Sequence, residues 1–352
     1  MDIELIVGNE MPPQQVAEFA VAAEQAGVRT LWNSNITDGY DPFMGLVPAA
    51  LATSRIRLGP LAVSPYEMHP LKLAYALSTL NELSGGRAQI GLGGGGAMAL
   101  WIRNEAADAS LDFTSMRIVR GVREAAEIIY RITSGGFWPA YKGEIFTINR
   151  PFNTTFVSAV PRPQIISCSM GPQMLRMGGR VADGVQVGDV VPERMPEVMV
   201  NIDAGLAKRA YPAEDFRIGN FWAWHIKEDR TASYKEARRE LIWRGAIAGK
   251  NAAEIRPHAD SDEEVQLVID NWDNFFKAFW TRSGDIDNVP DDTVNKLIAG
   301  MSSAGDLNDI DREVERYRQF AASGLTELSI RLFDDPMDGL KLIGAHVLPA
   351  LR

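Results

Sequence analysis

The residues best suited to chemistry are few, and they gather near the ends of apolar runs. Gly91-Leu92-Gly93-Gly94-Gly95-Gly96 is almost pure glycine. A backbone without Cβ atoms can lie against a flat ring or a phosphate, and it can equally form a plain flexible loop. Ser167-Cys168-Ser169-Met170-Gly171-Pro172 puts small hydroxyls where a strand gives way to a helix. Free N–H groups at a helix start can bind an anion or a carbonyl, or Ser169 can simply cap the helix. Alternation sets Ser167 and Ser169 on one strand face and Cys168 on the other. Gly59-Pro60-Leu61-Ala62-Val63-Ser64-Pro65 is unusual for a strand, because proline donates nothing to a ladder. It reads as a structural turn, or as a bulge that pushes backbone toward a ligand.

The histidines are His69, His225, His258 and His346, and none is spaced for metal ligation with another histidine or an acidic pair. His225 falls late in a predicted strand, where inward positions face a site. His69 precedes Pro70 and a helix, a structural placement. GxSxG, P-loop and HExxH patterns are all missing, and the glycine run lacks the context of a dinucleotide fingerprint. Trp32, Trp101, Trp222 and Trp224 lie on or near strand ends. Core packing is the first expectation for each, stacking on a planar cofactor or apolar substrate the second. Trp222 and Trp224 share one strand face and Phe221 takes the other.

The elements that must position these residues alternate between short β-rich runs and longer helical patterns. Strands are expected at 3–8, 30–35, 56–63, 88–93, 164–169, 184–189, 217–226 and 326–332. Helices are expected at 13–27, 42–52, 70–83, 115–133, 171–182, 192–209, 231–248, 308–322 and 335–349. Eight strand–helix units predict an α/β fold, a (β/α)₈ TIM barrel spanning 1–352 as one domain, with an open doubly wound sheet as the alternative. Residues 135–160 read as a hairpin excursion and 249–305 as a helical insertion. Insertions after barrel strands build the substrate pocket at the C-terminal mouth.

The 352 residues are 46% hydrophobic and 23% charged, a globular composition. A net charge of −10 speaks against nucleic acid or an anionic membrane surface as partner. No apolar run reaches the roughly 18–20 residues a membrane helix needs. A single cysteine excludes an internal disulfide framework and a thiolate-rich metal site, which suits a reduced cytoplasm, and the Met-Asp-Ile-Glu start has no signal-peptide character.

Four pieces occur in an order that resembles the luciferase-like superfamily, and within it the branch dependent on deazaflavin (coenzyme F420). They are GPLAVSPYEMHP (59–70), LSGGRAQIGLGGG (83–95), CSMGPQMLRMGGRVADGVQVG (168–188) and the ending VERYRQFAASGLTELSIRLF…VLPALR. The branch includes methylenetetrahydromethanopterin reductase, F420-dependent glucose-6-phosphate dehydrogenase and related ketoreductases. The resemblance implies a luciferase-like barrel that is an oxidoreductase, moving hydride between F420 and a carbon of a small organic molecule. The alternatives are an FMN-dependent monooxygenase and a non-catalytic flavin-binding barrel.

It also implies a bulge with a non-prolyl cis bond within Leu61, Ala62 and Val63. Cofactor contacts are implied from Gly93, Gly94 and Gly95 and from Ser169, Met170 and Gly171, and a homodimer follows by analogy. The family's acidic residue after the first strand maps to Glu10. Its Asp-His pair after the second strand reads Asn35-Ile36 here, and its fourth-strand glutamate reads Gly96. Asn35 can still hydrogen-bond the ring. The lysine that reads sugar phosphate is replaced within Gly188-Asp189-Val190-Val191, which argues against a sugar phosphate. Glu10 and His225 are the expected proton-handling groups. The tryptophan-rich seventh strand suggests an apolar or planar substrate.

Overall fold

The computed structural model describes residues 1–36, 38–95, 117–157, 159–210 and 215–351. Eight parallel strands form the barrel: β1 Asp2–Val7, β2 Thr30–Ser34, β3 Arg57–Leu61, β4 Gln89–Leu92, β5 Gln164–Cys168, β6 Gly184–Gly188, β7 Arg217–Trp224 and β8 Glu327–Arg331. Hydrogen bonding runs β3-β2-β1-β8-β7-β6-β5-β4. The ring closes between β3 and β4 through bridges Leu58–Ala88 and Val63–Leu92. That closure excludes the open sheet.

The helices that cover the barrel include α1 Pro13–Ala26, α2 Val47–Ala52, α3 Pro70–Leu83, α4 Ile118–Thr133, α5 Pro172–Val181, α6 Met195–Leu206 and α7 Arg230–Glu240. α1 starts on Pro13 and stops at Gly27, whose φ of 92° ends the helix while its N–H still reaches the Ala23 and Glu24 carbonyls. Strand residues alternate between two cores. Outward side chains such as Leu5, Leu31, Leu58 and Ile90 pack into the helix layer. Inward ones form a small lumen cluster of Ile6, Trp32, Leu61 and Ile166, with Cys168 and Phe221 against it.

Below that cluster the lumen is polar. The Glu4 carboxylate accepts from Trp32 Nε1 at 2.7 Å and Ser329 Oγ at 2.6 Å. Glu327 pairs with Arg217 and with Arg29. Burial pushes the Glu327 carboxyl up, helped by the charge of Glu4, while the two arginines oppose the rise. These groups plug the end of the barrel away from the mouth.

Three boundaries differ from expectation for physical reasons. The third strand stops at Leu61 rather than 63, because Val63 turns away from β2 to pair with β4. The seventh helix ends at Glu240, followed by a tight turn at Leu241–Trp243. The last helix breaks at Leu342 into a wider π turn over Ile343–Val347.

Residues 137–153 hold two nested antiparallel pairs, Phe137–Trp138 with Phe152–Asn153 and Tyr141–Lys142 with Thr147–Ile148. Buried Glu124 of α4 ties them down by accepting the N–H groups of Glu144, Ile145 and Phe146. After α7 come α8 Asp262–Asp270, α9 Trp272–Trp280 and α10 Asp291–Met301, packed around their own core with Phe275, Val294 and Leu297. The chain then returns as Ser302–Ser303, paired to the top of β7. Then follow α11 Ile310–Ala322, β8 and α12 Pro336–Leu342. Among the described residues no helix is long and apolar enough to cross a membrane.

Closure between β3 and β4 depends on Gly59, because a Cβ there would press into the Gln89 carbonyl. Gly59→Ala is expected to cost about 1–3 kcal/mol of stability, the usual penalty for overpacking. Urea unfolding checks this, and an unchanged midpoint would show that the seam has slack.

Candidate active site

One wall of the mouth is built at the ends of β2, β3 and β4. The Asn35 N–H donates to the Leu61 carbonyl at 3.2 Å. Its side-chain Nδ2 donates to the Ala62 carbonyl at 3.2 Å and to Glu67 Oε2 at 2.6 Å. Asn35 therefore joins the second-strand loop, the cis Leu61–Ala62 bond and a carboxyl group in one contact set. Asn9 holds that loop from below, donating to the Ile36 and Tyr40 carbonyls and accepting the Ile36 N–H.

Glu67 is half-buried, and its Oε1 is enclosed with no hydrogen-bond partner among the described residues. Burial pushes its carboxyl up, while the Asn35 amide and the Ser64 N–H contact moderate the rise. The glycine run makes room for it: a Cβ on Gly95, whose φ is 85°, would lie 2.7 Å from Glu67 Oε1. The Gly93 N–H donates to the Val63 carbonyl at 2.9 Å. A Cβ on Gly94 would press on Ile118 of α4. Asn35, Leu61, Ala62, Val63, Gly93, Gly94 and Gly95 thus sit together. Gly96 and Trp101 lie outside the described residues.

The turn after β5 holds Ser169, Met170 and Gly171. Both serine hydroxyls are buried and engaged with each other at 2.9 Å, and Ser169 Oγ also donates to the Met174 carbonyl at 3.2 Å. These hydroxyls are spent beneath α5, so this turn offers a ligand its backbone. Gly171 precedes α5 with no side-chain cap, and a Cβ there would touch nothing within 4 Å. The first-turn N–H groups of α5 therefore open onto free space. Met170 is exposed. Cys168 points into the lumen, where burial pushes its thiol up to about 12, so it is protonated and unreactive.

The opposite wall belongs to β1, β7 and β8. Glu10 has a side chain 59% exposed, with Oε1 3.9 Å from Arg331 Nη2. His225 is buried. Its Nδ1 meets Glu236 Oε1 at 2.8 Å, and its ring stacks on Phe333 with centroids 4.7 Å apart. Lys227 takes the other Glu236 oxygen at 2.9 Å. Burial pulls the His225 imidazole down, and Glu236 works against that. Among the described residues, no hydrogen bond or ion pair joins Glu10 or His225 to Asn35 or Glu67, although Asn9, beside Glu10, holds the Ile36 backbone. His69 accepts the Leu71 N–H through Nδ1, capping α3.

Trp222 and Trp224 point outward into the helix layer, so they do not line the mouth and cannot argue for a planar substrate. Trp222 bonds Ser303 Oγ and packs edge-on against Phe320. Phe221 is the inward residue of that stretch. After β6, Asp189 adopts a left-handed φ of 55° and binds Arg244 Nη1 and the Gly245 N–H, both at 2.9 Å. That pair ties the loop after β6 to the segment after α7.

Glu67, Arg244 and Arg331 went unnoticed in the sequence. Strand parity could have found Arg331, since it follows inward Ser329 by two and ends β8. Glu67 lies in a turn where no periodicity marks direction.

The Luciferase-like monooxygenase family model matches residues 4–327. The chain is similar to 5,10-methylenetetrahydromethanopterin reductase of Archaeoglobus fulgidus, 27% identical over 345 residues and 97% of both chains. The Methanopyrus kandleri reductase of that name is 25% identical, over 99% of this chain and 98% of its own. The solved coenzyme F420 dependent tetrahydromethanopterin reductase from Methanopyrus kandleri superposes with a TM-score of 0.76 at 21% identity, covering 100% of both chains. With a luciferase-like barrel, its closing seam and its mouth in place, the chain belongs to the luciferase-like monooxygenase family.

Proposed function

We propose that this protein is an oxidoreductase that moves hydride between coenzyme F420 and a carbon centre of a small organic substrate. Relatives support it: the chain is 28% identical, over 73% of its length, to F420-dependent hydroxymycolic acid dehydrogenase of Mycobacterium tuberculosis. The mouth fits a flat cofactor with an anionic tail. Gly93 to Gly95 and the Leu61–Val63 backbone leave a low wall for a ring, and the open start of α5 at Gly171 suits a phosphate. When bound, the deazaflavin supplies or accepts the hydride.

The observation that carries the reading is the Asn35–Glu67 pair on the Ala62 carbonyl. Asn35 fixes Oε2, which leaves Oε1 to carry the proton toward the ligand. In the reducing direction, a C=O or C=N carbon gains the hydride. Its π electron pair moves to the heteroatom, which takes a proton from Glu67. In the oxidising direction Glu67 accepts that proton. We rank Glu67 ahead of Glu10, which is mostly exposed beside Arg331, and of His225, which is sealed by Glu236 and Phe333.

Two outcomes test the reading. Gly171 has an extended backbone that valine tolerates, with φ −90° and ψ 160°. Gly171→Val is therefore expected to keep its melting midpoint and to lose F420 affinity tenfold or more, on the order of 1.4 kcal/mol, by occupying the tail's room. Unchanged affinity in titration would remove the tail from α5. For Glu67, the raised carboxyl keeps its proton to higher pH than an ordinary glutamate. Substrate reduction should therefore be fastest below that raised value and fall as pH climbs through it. Glu67→Gln should lower turnover by about 10²–10⁴-fold and erase that limb of the profile. If Glu10→Gln erased the limb and Glu67→Gln did not, the proton role would move to the other wall.

A further inference from the structure

Arg331 ends β8 on its inward side, in register with Ile6 of β1 and Ala223 of β7. Its side chain is only 11% exposed. Among the described residues its guanidinium donates no hydrogen bond, and Nη1 is enclosed without a partner. The one carboxylate within 4 Å is Glu10, at 3.9 Å, beyond hydrogen-bond length. Arg244 adds a second positive charge nearby, already committed to Asp189, and the carboxylates of Glu240 and Glu236 act on Arg331 only from beyond contact distance. A guanidinium has five donors and cannot shed its proton, so enclosing it unpaired is costly. Other enclosed cations are treated differently: at the base Arg217 bonds Glu327 and Asp2, and near Arg331 the buried Arg244 bonds Asp189.

The surroundings say what would satisfy it. The Phe333 ring lies 5.2 Å from the Arg331 guanidinium, and the Phe221 ring lies 5.1 Å from that of Arg244. Two aromatic rings thus flank the cationic corner. β8 stands four strands from β4 in either direction around the ring, so Arg331 faces the glycine loop across the lumen. A molecule with one end at Glu67 and the other at Arg331 would span the mouth. Glu10, largely in solvent and loosely paired, is a partner that an incoming oxyanion can displace.

We propose that Arg331 is a substrate-binding residue that takes a carboxylate, so that the substrate is an organic acid with an apolar or aromatic body and a reducible C=O or C=N. A single planar fork beside the Phe333 ring, with the nearby Arg244 already taken by Asp189, matches a carboxylate better than a phosphate dianion, which calls for further free cations. This rests on the hydride-transfer reading for the reducible group, and the carboxylate site itself is independent of it.

The test uses benzoate as probe, with benzyl alcohol as its uncharged counterpart. Binding is read from the fluorescence of bound deazaflavin in the loaded protein and from the melting midpoint of the cofactor-free protein. Wild type should bind benzoate saturably and in preference to benzyl alcohol. Arg331→Met should weaken benzoate by about tenfold or more, the loss of a charge-assisted hydrogen-bond pair, with benzyl alcohol unaffected. Arg331→Lys, which keeps the charge, should recover part of the affinity and guards against a folding defect in the methionine variant. Glu10→Gln should tighten benzoate binding by removing a competing carboxylate. Equal benzoate affinity in wild type and Arg331→Met, or no binding to wild type, would overturn the proposal. So would an equal loss of deazaflavin affinity in Arg331→Met, which would make Arg331 a cofactor residue. If wild type bound no deazaflavin, the hydride-transfer reading would fail, while the benzoate shift of the cofactor-free midpoint would still decide the carboxylate site.

Discussion

The seam between β3 and β4 is the constraint from which the mouth follows. Pro60 has no N–H to give, so the ladder cannot run along this seam, and the two strands are held at its ends. At one end the Leu58 N–H reaches the Arg87 carbonyl. At the other, the Val63 N–H donates to the Gly91 carbonyl and the Gly93 N–H donates to the Val63 carbonyl. Gly59 lets the strands approach between these points. The backbone after Leu61 leaves the sheet with its Ala62 carbonyl free to meet Asn35, and Asn35 in turn fixes Glu67. A barrel with a regular third strand would have no carbonyl at that place and no means of holding the acid there.

Polar groups in the lumen sort by height. At the base, Glu4 Oε2 takes Trp32 and Ser329 and Glu327 takes Arg217, making a plug in which Glu4 Oε1 and Gln186 Nε2 are enclosed without partners. At the mouth, Glu67 Oε1 and Arg331 Nη1 are likewise enclosed and, among the described residues, unpartnered, but there they stand where a ligand can reach. Enclosed polar atoms without partners are unfavourable in a finished core, and they make sense where a ligand completes them. The two stand on opposite walls, an acid on one side and a fixed cation on the other. That polarity suits a substrate whose reacting end and anchoring end differ.

Much of the barrel was legible because its strands are short apolar runs between helical patterns, and the eight predicted strands all fall on observed ones. Burial on both faces hides direction, however. Trp222 and Trp224 read correctly as sharing a face, but alternation cannot say which face is the lumen, and the bulky rings went to the roomier helix layer. His225 does share parity with Phe221, yet α7 folds over it and supplies Glu236, a tertiary contact eleven residues away that no local pattern announces. Glu67 was invisible because turns carry no period. Ser169 looked like an available hydroxyl until α5 placed the Met174 carbonyl beside it.

The central claim is that this mouth is shaped for a deazaflavin. Equilibrium titration of the purified protein with coenzyme F420 and, separately, with flavin mononucleotide tests it without any knowledge of the substrate. The account predicts saturable F420 binding, tighter than flavin mononucleotide by at least about tenfold, or 1.4 kcal/mol. Flavin mononucleotide binding as tightly as F420, or more tightly, would contradict it.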